Sequence, residues 1–261
     1  MRAIFAVTIG LGLAVVLSTA SAQERKSIFA EPQNLQVLPA DISTAELSQT
    51  MRGFALGLGV RCQHCHVGED GQPLSEFDFP ADVKETKAVA REMLRMVARI
   101  NATTSAVASR LERPATAVRC VTCHRGQARP QLIEDVLNET LESGDGAAAV
   151  EKYRALREKF YGGHTYDFTE LTLSLYANGL FRGPKKEAAI ALQELNSEYH
   201  PESSRIRNSL GQGYEEMGKL EKAAESYRKA LEINPNSRFA QGRLKAVEEK
   251  MKAEEPESKP E

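Results

Sequence analysis

The chain has 261 residues, of which 41% are hydrophobic and 27% are charged, and its formal net charge is −2. This length allows one large or two small domains, and the nearly balanced charge argues against a general nucleic-acid-binding protein. Tryptophan is absent. The second half is rich in Ala, Glu, Leu, Arg and Lys, which are strong helix formers, so the composition predicts a mostly α-helical protein.

The first 22 residues have the features of a secretory signal peptide. Arg2 precedes an uncharged apolar run, and Ala20-Ser21-Ala22 follows it as a small-residue cleavage site. The run is too short for a comfortable membrane span. We therefore expect cleavage after Ala22 and a periplasmic protein that can associate peripherally with the membrane.

The first predicted helix leads into a cysteine pair. It begins at Ser43, which forms a capping box with Glu46, and Gly57 and Gly59 end it just before Cys62. Met51 lies on its apolar face.

A second helix is predicted after a loop rich in Gly and Pro. Asp82 and Glu85 form a capping box for it, and apolar residues follow at helical spacing up to Ile100. Asn101 then begins a less regular connection to Cys120.

Residues 131–252 are predicted to form tetratricopeptide-like helical repeats. The stretch 204–237 matches the tetratricopeptide offsets with Leu210-Gly211, Tyr214, Ala223, Tyr227, Ala230 and Pro235. A looser unit precedes it, and an earlier helix pair would span Leu132–Ser143 and Gly146–Phe160. Residues 238–252 would form the capping helix that such an array needs. The charged tail, 253–261, is predicted to be disordered.

All four cysteines lie in two C-x-x-C-H sequences, "CQHCH" and "CVTCH". This pattern is the attachment sequence for c-type haem. Two thiols on one helical turn bond covalently to the two vinyl groups of the porphyrin, and the histidine that follows ligates the iron. The predicted attachment residues are Cys62 and Cys65 for one haem and Cys120 and Cys123 for the other, and the predicted proximal ligands are His66 and His124.

Two other kinds of site would also use paired cysteines. A zinc ion held by four thiolates explains the cysteines but not the histidine that follows each pair. A pair of disulfides leaves the same two histidines unexplained.

The second axial position of each iron needs its own ligand. A methionine there raises the reduction potential, whereas an open position permits peroxide chemistry. Met51, Met93 and Met96 are the candidates, because each lies on the apolar face of a helix upstream of a C-x-x-C-H sequence. Packing in an apolar core is the alternative role for these side chains.

Three stretches carry a resemblance to a known family. They are "TMRGFALGLGVRCQHCHVG", "VKETKAVAREMLRMVARIN" and "VRCVTCHRGQARP". Over about residues 33–130, the chain resembles the cytochrome c subunit of photosynthetic reaction centres. The resemblance implies a dihaem cytochrome c domain over residues 23–130, with little regular strand and two covalently attached c-type haems. It also implies Met51 and Met93 as the distal ligands, since Met93 is the first methionine of the "REMLRM" pattern.

The resemblance implies a form with two haems. Family members with four haems have two pairs of such segments, and this chain matches one pair. Those members also place a histidine before the second C-x-x-C-H sequence to ligate a haem of the other pair. Residues 101–119 contain no histidine here, in agreement with a single pair.

Together these features predict an exported cytochrome that transfers single electrons and is not an enzyme. Its expected partners are redox proteins, such as a photosynthetic reaction centre or another membrane electron-transfer complex, with docking through the repeats. A dihaem peroxidase and a repeat scaffold with structural haem are the alternatives. Residues 84–129 carry ten basic and three acidic residues, and Arg95, Arg99, Arg119 and Arg125 are candidates to pair with haem propionates.

Overall fold

The computed structural model describes residues 27–254. These residues form ten α-helices and no β-strand, and their extended backbone pairs in one isolated antiparallel bridge, Val67 with Asp78. The mostly α-helical class predicted from the sequence is confirmed. The predicted signal peptide and the tail from residue 255 lie outside the described residues.

The helices fall into two groups along the chain, which we call the motif half (residues 27–130) and the repeat half (residues 131–254). The motif half contains α1 (Thr44–Leu58), α2 (Glu85–Arg110) and α3 (Cys120–His124). The repeat half contains α4 (Ile133–Ser143), α5 (Gly146–Phe160), α6 (Glu170–Phe181), α7 (Lys186–Tyr199), α8 (Ser204–Glu216), α9 (Leu220–Ile233) and α10 (Arg238–Glu254).

Helix α1 begins and ends as its sequence predicts. The Ser43 hydroxyl accepts from the Glu46 backbone N–H at 3.2 Å, and the Glu46 carboxylate accepts from the Ser43 backbone N–H at 3.1 Å, so the predicted capping box is confirmed. Gly59 ends the helix in the left-handed conformation, with φ at 67°.

Helix α2 differs from its prediction at both ends. It begins at Glu85 without a side-chain cap, so the predicted capping box with Asp82 is wrong. The Asp82 carboxylate instead pairs with Lys87 and Arg91, each at 2.9 Å. The helix also continues to Arg110, well past the end expected near Asn101.

Asn101 does not end α2 because its side chain is used elsewhere. Its amide donates to the Val118 carbonyl at 3.0 Å and accepts from the Val118 N–H at 2.7 Å. This clamp holds the chain just before the second C-x-x-C-H sequence against the middle of α2. The Thr103 hydroxyl meanwhile donates to the Arg99 carbonyl at 3.0 Å, so it bonds within the helix and does not interrupt it.

The repeat half has the predicted helix pairs, α4 with α5, α6 with α7 and α8 with α9, followed by α10. Two apolar clusters form its core. The most buried side chains of the first cluster include Leu137, Tyr153 and Leu192. Those of the second cluster include Tyr227 and Val247. Helix α10 ends at Glu254, two residues past the predicted boundary of the repeats.

The motif half is built differently, because it has almost no apolar core of its own. Among the described residues, 28 apolar side chains are buried, and only Leu47, Phe77 and Ala108 belong to the motif half. The burial of apolar surface is the dominant stabilising term in folding. Most of the buried apolar side chains therefore lie in the repeat half, and the motif half has few of its own.

The last turn of α1 packs directly on α3. The Gly126 N–H donates to the Gly57 carbonyl at 2.8 Å. A Cβ added at Gly57 would lie 2.9 Å from the Cys120 Cβ and 3.0 Å from the Val121 nitrogen. One helix therefore carries Met51, leads into the first cysteine pair and supports the second.

We predict that Gly57→Ala destabilises the motif half, whereas Gly53→Ala on the same helix does not. The added methyl group at residue 57 would force α1 away from α3, a change that costs about 1–3 kcal/mol in overpacked sites. At Gly53 no atom lies within 4 Å of the added Cβ, and Ala favours the helix by about 0.5–1 kcal/mol. Thermal unfolding of the two variants measures the difference, and equal midpoints would contradict this packing.

We also predict that residues 131–254 fold without the motif half. The expected result is a strongly helical circular dichroism spectrum and a cooperative unfolding transition, because both apolar clusters lie within this fragment. A fragment without a cooperative transition would mean that the repeats depend on the motif half for their core.

Candidate haem sites

The first C-x-x-C-H sequence and the first methionine helix meet at one cavity. Met51, Cys62, Cys65 and His66 all line this cavity, whose volume is about 420 Å³. The rest of its wall is largely apolar and includes Ile28, Phe29, Leu35, Val37, Leu38, Leu47, Phe54, Val60, Leu74, Phe79 and Leu94. The structure thus brings together every side chain that the sequence predicts for the first haem, in a cavity with the character that a porphyrin face requires.

His66 is oriented by a backbone carbonyl. Its Nδ1 donates to the Phe79 carbonyl at 3.3 Å, and its ring meets the Phe79 ring edge-to-face at 4.9 Å. Burial lowers the pKa of His66, which favours the neutral imidazole. A metal-ligating histidine commonly donates its other ring N–H to such an acceptor, so this arrangement leaves Nε2 as the ligating atom.

The two thiols of the first sequence lie on one tight turn. Cys62–His64 form a 3-10 helix, and the Cys65 and His66 N–H groups both donate to the Cys62 carbonyl, at 3.2 and 3.0 Å. Burial raises the pKa of the Cys65 thiol. All four cysteines, which lie within residues 27–254, are free of disulfides.

The cysteine pairs do not converge on a common point. Within residues 27–254, no three side chains of His, Cys, Asp or Glu come together as a metal-ion site. This arrangement does not support a zinc ion held by four thiolates.

The second C-x-x-C-H sequence forms the short helix α3. Beyond it the chain reverses through left-handed conformations at Arg125 (φ 49°) and Gly126 (φ 84°). The reversal returns the Gln127 carbonyl to the His124 ring, whose Nδ1 donates to it at 2.8 Å. His124 is thus held in the same way as His66, and burial raises the pKa of the Cys120 thiol as it does for Cys65.

The structure does not bring Met93 to the first cavity. The residues of α2 that line this cavity are Lys87, Ala90, Arg91 and Leu94. Met93 is half-buried on another face, and Met96 is 37% exposed. At 3.6 residues per turn, Asn101 lies about 80° around the helix axis from Met93 and about 140° from Met96. Since Asn101 holds Val118, Met93 is the methionine nearer to the side of α2 that meets the second sequence.

Two cations in the wall of the first cavity were missed by the sequence analysis. Lys87 and Arg91 both line it, and their side chains are only 12% and 14% exposed. Arg95, which the sequence suggested as a propionate partner, pairs instead with Glu92 at 2.5 Å. The sequence could have indicated these two cations, because Lys87, Arg91 and Leu94 are spaced to lie on one face of a helix, and Leu94 also lines the cavity.

Asp82 pairs with both of these cations, and it lies in the loop that also contains Phe79, the hydrogen-bond partner of His66. A hydrogen bond from Arg91 holds the pKa of the Asp82 carboxyl well below its usual range, and Lys87 acts in the same direction. Lys87 also donates to the carbonyls of Phe79, Pro80 and Ala81, at 2.8, 3.0 and 2.8 Å.

Comparison with protein families identifies the chain. The sequence model of the photosynthetic reaction centre cytochrome C subunit family matches residues 13–176, more than half of the chain. The chain belongs to this family. Membership implies c-type haem binding, and the two C-x-x-C-H sequences are where this cytochrome subunit can attach haem. The match continues past residue 130, where the resemblance in the sequence ended, through α4 and α5 into α6.

A tetratricopeptide repeat model matches residues 204–237, which contain α8 and α9, so the predicted repeat is confirmed. Among solved structures, the first tetratricopeptide domain of Spaghetti (RPAP3) bound to the HSP90 peptide SRMEEVD is similar to 46% of this chain. The identity is 18%, the TM-score is 0.33, and 90% of that domain is covered. The first tetratricopeptide domain of human RPAP3, solved by NMR, has the same identity, TM-score and share of this chain, with 91% of that domain covered.

The comparison with curated proteins finds no match to this chain. Within residues 27–254, no helix combines the length and apolar character needed to cross a membrane.

Proposed function

We propose that this chain is an exported dihaem c-type cytochrome that transfers single electrons between protein partners. The observation that carries the proposal is the shared cavity of Met51, Cys62, Cys65 and His66. Cys62, Cys65 and His66, chosen from their spacing, and Met51, implied by the resemblance, line one largely apolar cavity, and the two thiols and the imidazole lie on one turn. Export to the periplasm is part of the proposal, because covalent haem attachment takes place outside the cytoplasm.

The chemistry of each site follows from its donors. A bound c-type haem supplies reversible one-electron reduction of its iron. Cys62, Cys65, Cys120 and Cys123 would hold the porphyrins by thioether bonds, and His66 and His124 would ligate the irons through Nε2. The carbonyls of Phe79 and Gln127 fix both imidazoles by accepting from Nδ1. The scarcity of buried apolar side chains in the motif half supports this assignment, because the faces of two porphyrins would complete its core.

Met51 and Met93 are the proposed distal ligands. Met51 lines the same cavity as His66, so its thioether sulfur would be available as the second ligand of the first haem. Met93 is the counterpart on α2, because it lies nearer than Met96 to Asn101, whose side chain holds Val118. Two methionines would close both irons to exogenous ligands, which favours electron transfer over peroxidase chemistry.

The repeat half is the proposed docking domain for a redox protein partner, such as a reaction centre or another membrane electron-transfer complex. It is linked to the second site, because the Thr165 hydroxyl donates to the Arg125 carbonyl at 2.9 Å. Helix α6, which follows Thr165, exposes Leu171 and Leu175 one turn apart. These two leucines are the proposed contacts for the partner.

We predict two covalently bound haems per chain after expression in a host that exports and matures c-type cytochromes. Both should stay on the protein after acid extraction, and the pyridine haemochrome assay should count two. The variant Cys62→Ala with Cys65→Ala and the variant Cys120→Ala with Cys123→Ala should each retain one. A protein that contains zinc and no haem under these conditions would overturn the proposal.

We predict that Met51→Ala and Met93→Ala each open one iron to carbon monoxide and weaken the sulfur-to-ferric-iron charge-transfer band by about half, because each removes one of two axial sulfurs. Met96→Ala is the matched control on α2 and should leave the band unchanged. Its stability cost should fall below the roughly 2–5 kcal/mol of a fully buried methionine, because Met96 is 37% exposed. A band that weakens in Met96→Ala and persists in Met93→Ala would reverse the assignment. Carbon monoxide binding to one iron of the unmodified protein would instead favour the peroxidase alternative.

A further inference from the structure

The two proximal histidines each donate to a backbone carbonyl, but only one of these carbonyls also accepts from a lysine. The His124 Nδ1 donates to the Gln127 carbonyl at 2.8 Å, and no other donor within residues 27–254 shares that oxygen. The His66 Nδ1 donates to the Phe79 carbonyl at the longer distance of 3.3 Å, and the Lys87 ammonium donates to the same oxygen at 2.8 Å. One histidine thus has an acceptor of its own, and the other shares its acceptor with a cation.

The Lys87 ammonium is fixed in this position. Besides the Phe79 carbonyl, it contacts the carbonyls of Pro80 and Ala81 and the Asp82 carboxylate, at 2.8–3.0 Å. Its side chain is 12% exposed, so solvent screens its charge poorly. Asp82 also pairs with Arg91, and these three side chains together leave one net positive charge beside the first cavity.

The shared carbonyl should change the chemistry of His66. An oxygen that already accepts from an ammonium is a weaker acceptor for an imidazole N–H. A weaker bond at Nδ1 leaves the imidazole less basic, and a less basic ligand stabilises oxidised iron less. Hydrogen bonding around the axial ligand is one of the ways in which a protein sets a haem potential.

The charges act in the same direction. Reduction adds one electron to a site, so a nearby positive charge with little solvent around it favours the reduced state. At the second site, Arg119 and Arg125 flank the C-x-x-C-H sequence, but both are exposed, and solvent screens their charges. Both effects therefore raise the potential of the first site relative to the second.

We propose that Lys87 is a positioning residue that acts on His66 through the Phe79 carbonyl and gives the first haem the higher reduction potential of the two. An electron that a reduced protein donor delivers to the second site would then move on to the first. In that step the iron held by His124 is oxidised and the iron held by His66 is reduced, each by one electron. This inference rests on the proposed dihaem function.

The first test compares proteins with one haem each. The variant Cys120→Ala with Cys123→Ala keeps the first attachment sequence, and the variant Cys62→Ala with Cys65→Ala keeps the second. Potentiometric titration followed by visible spectroscopy gives the midpoint potential of each. We expect the protein with the first haem to have the higher potential, and the opposite order or equal values would overturn the inference.

The second test isolates Lys87 in the full dihaem protein. Lys87→Gln should lower the higher of the two potentials and leave the other in place. We expect about a tenfold change in the equilibrium constant for reduction, which is about 59 mV for a one-electron couple. Lys84→Gln is the matched control, because Lys84 lies on the same stretch but donates to the Gln63 carbonyl and not to Phe79. Lys87→Arg should keep most of the higher potential that Lys87→Gln loses, since a guanidinium keeps both the charge and the hydrogen-bond donor.

The outcomes separate this inference from the proposed function. A haem count below two in the unmodified protein refutes the dihaem function itself. With two haems present, a Lys87→Gln variant whose potentials equal those of Lys84→Gln refutes the role of the shared carbonyl. If Lys87→Gln fails to load haem, Lys87→Arg and the single-haem proteins still decide the order of the two potentials.

Discussion

The architecture of the motif half depends on the contact between the last turn of α1 and the helix α3. Gly57 lets the two backbones approach so closely that a Cβ there would lie 2.9 Å from the Cys120 Cβ, and its carbonyl accepts from Gly126 at 2.8 Å. Two turns earlier, α1 carries Met51, and a few residues later the chain reaches Cys62. One helix therefore positions Met51, which is the proposed distal ligand of the first site, the start of the first attachment sequence and the second sequence. A shift of this helix would disturb both sites together.

The two halves reach stability by different means. The repeat half contains 25 of the 28 buried apolar side chains among the described residues, and most of them belong to two clusters within this half. The motif half is instead held by polar ties between segments, such as the Asn101 clamp on Val118 and the contacts of Lys87 with residues 79–82. Such ties fix the geometry of a site but add little net stability, because each replaces a hydrogen bond to water. Haem loading and folding should consequently be coupled in the motif half and independent in the repeat half.

The features that the sequence predicted well are local ones. Residues a few positions apart form the Ser43 capping box, the turn that carries Cys62 and Cys65, and the helix pair at 204–237. Their spacing was therefore enough to predict them. Asp82 was misread because its partners, Lys87 and Arg91, compete for the carboxylate that a capping box would use. Asn101 was misread for a similar reason, since its amide bonds to Val118, 17 residues away. A contact of that kind has no signature in a single sequence.

The link between the two halves gives the second site a direct connection to the repeats. Thr165 bonds to the Arg125 carbonyl, beside His124, and Arg129 pairs with Glu139 of α4 at 2.8 Å. Both contacts lie within the family match, which ends at residue 176, so α4 and α5 belong with the cytochrome part as much as with the repeats. With the proposed order of potentials, the first haem would be the acceptor within the chain, and it would receive its electron from the second site, which is the one in contact with the repeat half.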